Sequence, residues 1–170
     1  MRICILYDCL FPWTIGGAER WYRALAERLA QEGHAVTYLT LRQWDVGDEP
    51  QIPGVAVVAV GPRVTLYSNG RRRMAPPLRY GMGVFWHLLR HGGAYDHVHG
   101  ASFPFFSILA AGLLRKVHGY SLGVDWHEVW TREYWREYLG WLGPVGWSVQ
   151  ALCARMRQNA FTFSELHNRR

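Results

Sequence analysis

Asp8-Cys-Leu-Phe-Pro-Trp-Thr-Ile-Gly-Gly-Ala-Glu-Arg20 is the stretch from which the rest of the chain can be read. Ahead of it, Arg2-Ile-Cys-Ile-Leu-Tyr7 is a short apolar run rich in β-formers and reads as a buried strand. Behind it, Ala18 to Glu32 repeats Trp21, Leu25 and Leu29 at helical spacing, with Ala18, Tyr22, Ala26 and Ala30 beside them. Glu19, Arg20, Arg23, Glu27 and Arg28 take the other face, and Glu19 to Arg23 is a favourable i,i+4 pair. Gly33 closes the helix, and Ala35 to Leu41 reads as the next strand. The order is strand, glycine-bearing loop, helix, strand. Gly16 and Gly17 sit where the helix begins. Unpaired backbone N–H groups and the helix dipole favour an anion there, and glycines let a phosphate approach the backbone. The same pair also suits a plain tight turn. Neither G-x-G-x-x-G nor G-x-x-x-x-G-K-[ST] occurs, so a ligand here is held in neither of those ways.

A chain of 170 residues, 49% apolar and 15% aromatic, supports one domain with a real core rather than a disordered segment. The formal net charge is +6, and Lys116 is the one lysine. Arginine suits phosphate and carboxylate recognition better than lysine does. Nothing in the pattern points to nucleic acid. Cys4, Cys9 and Cys153 are odd in number and follow no metal-ligand spacing, which fits a reduced, cytoplasmic compartment. The N-terminus does not read as a signal peptide, because Asp8 interrupts a short apolar run. The longest apolar stretch, Phe103 to Leu114, is too short to span a bilayer.

Further along, Val55 to Val60 reads as a third strand and Gly61 to Pro77 as a loop carrying Arg71-Arg72-Arg73. Leu78 to Leu89 reads as a helix with Leu78, Met82, Phe85, Trp86 and Leu89 on one side. Tyr95 to His99 is a fourth strand. Ser102 is placed to cap a following helix, with Pro104 in its first turn, and that helix is apolar enough all round to be buried. Ser121 to Trp126 is a fifth strand, Val145 to Gln158 a helix, and Ala160 to Phe163 a sixth strand. Strands alternating with helices predict an α/β fold: a Rossmann-like, doubly wound, mostly parallel sheet of about six strands with helices on both faces. In such a sheet ligands bind beyond the carboxyl ends of the strands, where the order reverses. With the order 3-2-1-4-5-6, Gly16 and Gly17, then His99 and Ser102, then His127 and Glu128 converge on that crevice.

The stretch Ile15-Gly-Gly-Ala-Glu-Arg-Trp-Tyr-Arg-Ala-Leu-Ala-Glu-Arg-Leu-Ala-Gln-Glu-Gly-His-Ala-Val-Thr37 resembles the opening of family-4 retaining glycosyltransferases of the GT-B fold. Tyr95-Asp-His-Val-His99 is similar to their fourth strand, Val124-Asp-Trp-His-Glu-Val-Trp130 to their fifth, and Phe161-Thr-Phe-Ser-Glu165 to their sixth. The resemblance implies an N-terminal acceptor-binding domain, residues 1–170, facing a second domain that holds most of a nucleoside diphosphate sugar. Gly16 and Gly17 would face the donor diphosphate, His127 the reacting centre, and Glu19 and His99 the acceptor. Ser102 and Glu128 join them on the acceptor side. Tyr67-Ser-Asn-Gly70 resembles an acceptor-loop segment of the phosphatidylinositol mannosyltransferase branch, which adds Tyr67 and Asn69. Where members often carry a second histidine, this chain has Ala101.

Family members run to roughly twice this length. The expectation is therefore half an enzyme, inactive alone, whose donor domain lies outside this chain or in a separate subunit. No metal is expected, since the sequence holds no Asp-x-Asp and no His/Cys ligand cluster. Two other classes stay open: a non-catalytic domain that binds a ligand or a partner, and a different nucleotide-binding α/β enzyme. Val64 to Arg90 joins Arg71, Arg72, Arg73, Arg79 and Arg90 to Met82, Phe85 and Trp86. That combination suits contact with a membrane surface or a lipid-linked acceptor, although the plainer reading is a helix packed on the sheet with solvated arginines.

Overall fold

The computed structural model describes residues 1–63 and 75–163, and the backbone of 67–68 and 71–72. Six strands form one all-parallel sheet: β1 (Arg2–Leu6), β2 (Ala35–Thr40), β3 (Val55–Ala59), β6 (His97–Ala101), β7 (Ser121–Trp126) and β8 (Asn159–Thr162). Two short strands, β4 (Tyr67–Ser68) and β5 (Arg71–Arg72), pair antiparallel as a hairpin within the stretch read as a loop. The helices are α1 (Gly17–Gln31), α2 (Ala75–His91), α3 (Phe105–His118), α4 (Arg132–Leu139) and α5 (Gly143–Arg155).

The sheet order is β3-β2-β1-β6-β7-β8. With the hairpin set aside, this is the doubly wound order expected from the sequence. The order reverses between β1 and β6, where Leu6 pairs with Gly100. Side chains alternate across the sheet, so His97, His99, Gly123, Asp125 and Phe161 share one face. Tyr22 of α1 bonds Asp125, which places α1 on that face. Gly100 meets Ile108 of α3 on the other face. There α3 packs against both α2 and α5.

Several elements differ from the sequence reading. The buried side of α2 is Pro76, Pro77, Tyr80, Gly81, Val84 and Leu88, while Leu78, Met82, Trp86 and Leu89 are exposed. The cause is a close approach between helices. A Cβ on Gly81 would fall 2.4 Å from Phe106 Cβ of α3, so the glycine side must face inward. Tyr80 then reaches across to donate to the Leu39 carbonyl at 2.9 Å. Nor is α3 buried all round, for Leu113 and Val117 are exposed. Ser102 does not cap α3; Pro104 occupies the N-cap, and the Ser102 N–H donates to the Asp125 carbonyl at 2.9 Å. Gly119 closes α3 in the left-handed conformation, φ 78°, donating to the Arg115 carbonyl. The aromatic segment after His127 forms α4, capped by Thr131, whose Oγ1 accepts from the Tyr134 N–H at 3.3 Å. Trp21, expected on the core side of α1, is exposed, and that side is Glu19, Tyr22 and Ala26.

Candidate active site

The loop from β1 to α1 is held by Gln43, just past β2. Its Oε1 accepts from the Leu10 N–H at 3.1 Å and from Thr14 Oγ1. Its Nε2 donates to the carbonyls of Asp8 and Leu41. Arg23 Nη1 donates to the Phe11 carbonyl at 3.0 Å and pins the loop to α1 from the other side. The start of α1 is therefore fixed from two directions before any ligand arrives.

At that helix start the two glycines differ. Gly16 is the N-cap, with extended backbone, and its side-chain space is taken by Glu19. A Cβ there would lie 2.2 Å from Glu19 Oε2. Glu19 is buried, and its carboxylate is turned back against the helix N-terminus, where it offsets the dipole. Gly17 is exposed, and a Cβ there would meet nothing within 4 Å. An incoming anion thus has an open approach at Gly17 and a carboxylate at Gly16.

Between α1 and the sheet lies a group that the sequence reading did not single out. Asp125, almost fully buried near the end of β7, receives the Tyr22 hydroxyl on Oδ2 at 2.8 Å. His99 Nε2 lies 3.1 Å from the same oxygen and Trp21 Nε1 3.4 Å. Burial works against the charge on Asp125, but the bonds from His99, Tyr22 and Trp21 outweigh it and hold its pKa below the ordinary carboxylate value. The Tyr22 pKa is pushed far up by burial and by Asp125, so the phenol keeps its proton. Asp125 did leave a mark in the sequence: it is the one charged residue inside the apolar strand Ser121 to Trp126.

His127 follows directly. Its Nε2 lies 3.3 Å from Tyr22 Oη. Tyr22 has one proton and gives it to Asp125, so its oxygen can only accept from His127. That assigns the Nε2–H tautomer and leaves the lone pair on Nδ1. Burial lowers the His127 pKa more than Asp125 and Glu128 raise it, so the ring is neutral near pH 7. Phe163 stacks on it at 4.7 Å and 7°, and Trp21 meets Phe163 edge-on at 5.8 Å. Gly17 precedes Tyr22 by under two helical turns, about 7.5 Å along the axis.

The structure thus brings the α1 N-terminus, His99, Asp125 and His127 to the switch point. His99 lies within β6, half-buried, rather than in the loop after it. Ser102 is buried at the end of β6. Glu128 is exposed, and its Oε2 accepts from Trp130 Nε1 at 2.6 Å. Asn69 and the side chain of Tyr67 lie outside the described residues. Among the described residues no group of three His, Cys, Asp or Glu is arranged to hold a metal ion.

A family model, Glycosyltransferase Family 4, matches residues 15–164. An uncharacterized 42.6 kDa protein in the cps region of Klebsiella pneumoniae is 28% identical over 89 residues, which is 52% of this chain and 23% of that protein. Sucrose-phosphate synthase from Thermosynechococcus elongatus shares the fold with a TM-score of 0.64 at 12% identity, over 95% of this chain and 47% of that one. The chain spans less than half the length of both proteins.

Proposed function

Because the chain belongs to glycosyltransferase family 4, we propose that it is the acceptor-holding half of an enzyme that moves a sugar from a nucleoside diphosphate sugar to an acceptor hydroxyl, with retention. The observation that carries this reading is the open helix start at Gly17 on the same wall as a neutral, oriented His127. When the bond to the leaving diphosphate breaks, negative charge grows on that group. First-turn N–H groups of α1, fixed beforehand by Gln43 and Arg23, supply donors that need no rearrangement at that moment. Glu19 keeps the Gly16 side of the helix end for itself and leaves Gly17 as the approach.

His127 takes the reacting centre in this reading. Its Nδ1 lone pair can accept a hydrogen bond from a sugar hydroxyl, while Tyr22 and Asp125 hold the ring from behind. His99 and Glu128 stay on the acceptor side, and Ser102 ties β6 to β7 beneath them. Residues beyond this chain would hold the nucleotide and most of the donor sugar. Turnover with a panel of sugar nucleotides and acceptors tests the division of labour. The 170-residue chain should give none and the complete enzyme should give transfer; steady transfer by the chain alone would overturn the half-enzyme reading.

A second reading starts from the open helix end at Gly17, which suits anion binding by itself, without any chemistry. The domain would then bind a phosphorylated ligand or a partner subunit and do no chemistry. Full activity of a complete enzyme lacking the His127 imidazole would favour it.

A further inference from the structure

The helical layer opposite α1 has an unusual charge pattern. In α2, α3 and α5 there is no Asp or Glu, whereas Arg79, Arg90, Arg115, Lys116 and Arg155 all lie there. From Pro50 to Tyr95 the sequence carries no acidic residue at all. The acids of the described residues lie on α1, on α4, in β7 and in the loops. The same layer turns large apolar side chains outward. Leu78, Met82 and Trp86 follow one another turn by turn along α2. Leu113 and Val117 continue the pattern on α3, and Val145 and Leu152 on α5. At the corner between α4 and α5, Trp141 is 87% exposed. Beside that corner an apolar cavity of about 260 Å3 opens between Leu78, Phe106, Tyr138, Leu142 and Val145.

Large apolar side chains turned outward on neighbouring helices mark an interaction surface, and the charges beside them say what kind. A protein partner usually meets a mixed rim of both signs. Along α2, α3 and α5 the charged residues are all basic, and the acids bordering the corner, Glu133 and Glu137, sit on α4. Arg90 lays its guanidinium over the Trp86 ring at 5.3 Å, so charge and aromatic are presented together on the outer side of α2. Basic groups beside an outward apolar helix face fit an anionic interface, with apolar residues entering the headgroup boundary and arginines pairing with phosphates. Among the described residues no helix is long and apolar enough to cross a membrane.

We propose that the outer face of the α2–α3–α5 layer seats this protein on the surface of an anionic phospholipid bilayer, with one lipid chain entering the cavity at the α4–α5 corner. This docking stands apart from the sugar-transfer reading, which uses the opposite face and the crevice. The choice between packed and outward aromatics on α2, left open by the sequence, falls to the outward arrangement for Trp86.

Sedimentation with phosphatidylcholine vesicles, with and without phosphatidylserine, tests it on the chain as it stands. The protein should sediment with phosphatidylserine vesicles at low salt. Binding should drop about tenfold at about 1 M salt, where the screening length is only about 3 Å. Met82→Gln with Trp86→Gln, or Trp141→Gln alone, should weaken binding about tenfold by removing inserted apolar surface. Arg79→Gln with Arg90→Gln should remove part of the salt-sensitive binding. All these side chains are exposed, so the variants should melt near the parent, and a melting scan confirms that they are folded. Equal binding to pure phosphatidylcholine would overturn the proposal, as would vesicle binding unmoved by the apolar substitutions. A dimer that the same substitutions dissolve, without vesicle binding, would assign the face to a second copy instead and overturn it too.

Discussion

Tyr22 on α1 donates its hydroxyl to Asp125 on β7 across 2.8 Å, and the same oxygen stands 3.3 Å from His127 Nε2. One phenol therefore joins the first helix, a buried carboxylate and the histidine of the crevice. Removing only that oxygen is an informative change. Tyr22→Phe keeps the stacking on Tyr7, 4.6 Å between ring centres, and leaves Asp125 one bond short in a buried setting. The expected cost is about 1–3 kcal/mol of stability, read from thermal or denaturant unfolding. The His127 nitrogen resonances should shift as well, since the group that assigns its tautomer is gone. An unchanged spectrum would show that Tyr22 does not set the ring.

The two glycines at the start of α1 should respond oppositely. Gly16→Ala drives a methyl into Glu19 and should destabilise by about 1–3 kcal/mol. Gly17→Val meets nothing in the protein and should melt near the parent. In the complete enzyme, however, Gly17→Val should weaken donor binding, because its side chain stands where the diphosphate would come. Unchanged donor affinity would remove the diphosphate from this loop.

His127→Ala in the complete enzyme should lower turnover by about 100-fold or more while unfolding near the parent temperature. The opposite outcome, a large loss of stability with normal specific activity, would make His127 part of the packing around Phe163.

Acid should destabilise this domain well above the carboxylate range. Burial, then the neighbouring His91, lowers the His87 pKa to about 4. Burial also lowers those of His97 and His127. The unfolded chain titrates these rings near 6.5 and so binds more protons than the native state below that pH. Stability must rise with pH through this window and fall as pH drops from about 6.5 toward about 4. Asp125 adds a loss at still lower pH, below the ordinary carboxylate value, as its favourable bonds are given up. Unfolding midpoints measured across that range should show the slope, and His87→Gln should reduce it.

How much of this was legible in the sequence divides by the physics involved. The strand–loop–helix–strand opening and the sheet order follow from local periodicity and the winding rule, and both hold in the structure. The faces of α1 and α2 were not legible from periodicity alone. Both helices carry apolar residues on more than one side, and the inward side is chosen by what packs closest. On α2 the signal was Gly81, whose missing side chain admits Phe106. On α1 it was the polar end of Tyr22, which a hydrophobic count treats as core and the structure uses as a hydrogen-bond bridge. Ser102 was misread because Ser, one residue short of Phe103-Pro104, looks like a cap, while its backbone was needed to pair with β7. Asp125 was overlooked because it needs partners distant in sequence, and only the fold brings Tyr22 and His99 to it.

β8 is exposed along its whole length, and the residue that follows it, Phe163, lies flat on the His127 ring. This makes the edge strand a lever. Whatever grips or shifts β8 moves Phe163 with it, and Phe163 is the surface against which His127 is aligned. The pose of the histidine is thereby tied to the position of Phe163 at the end of the edge strand, so a displacement of that strand would be felt at the crevice without any ligand reaching it.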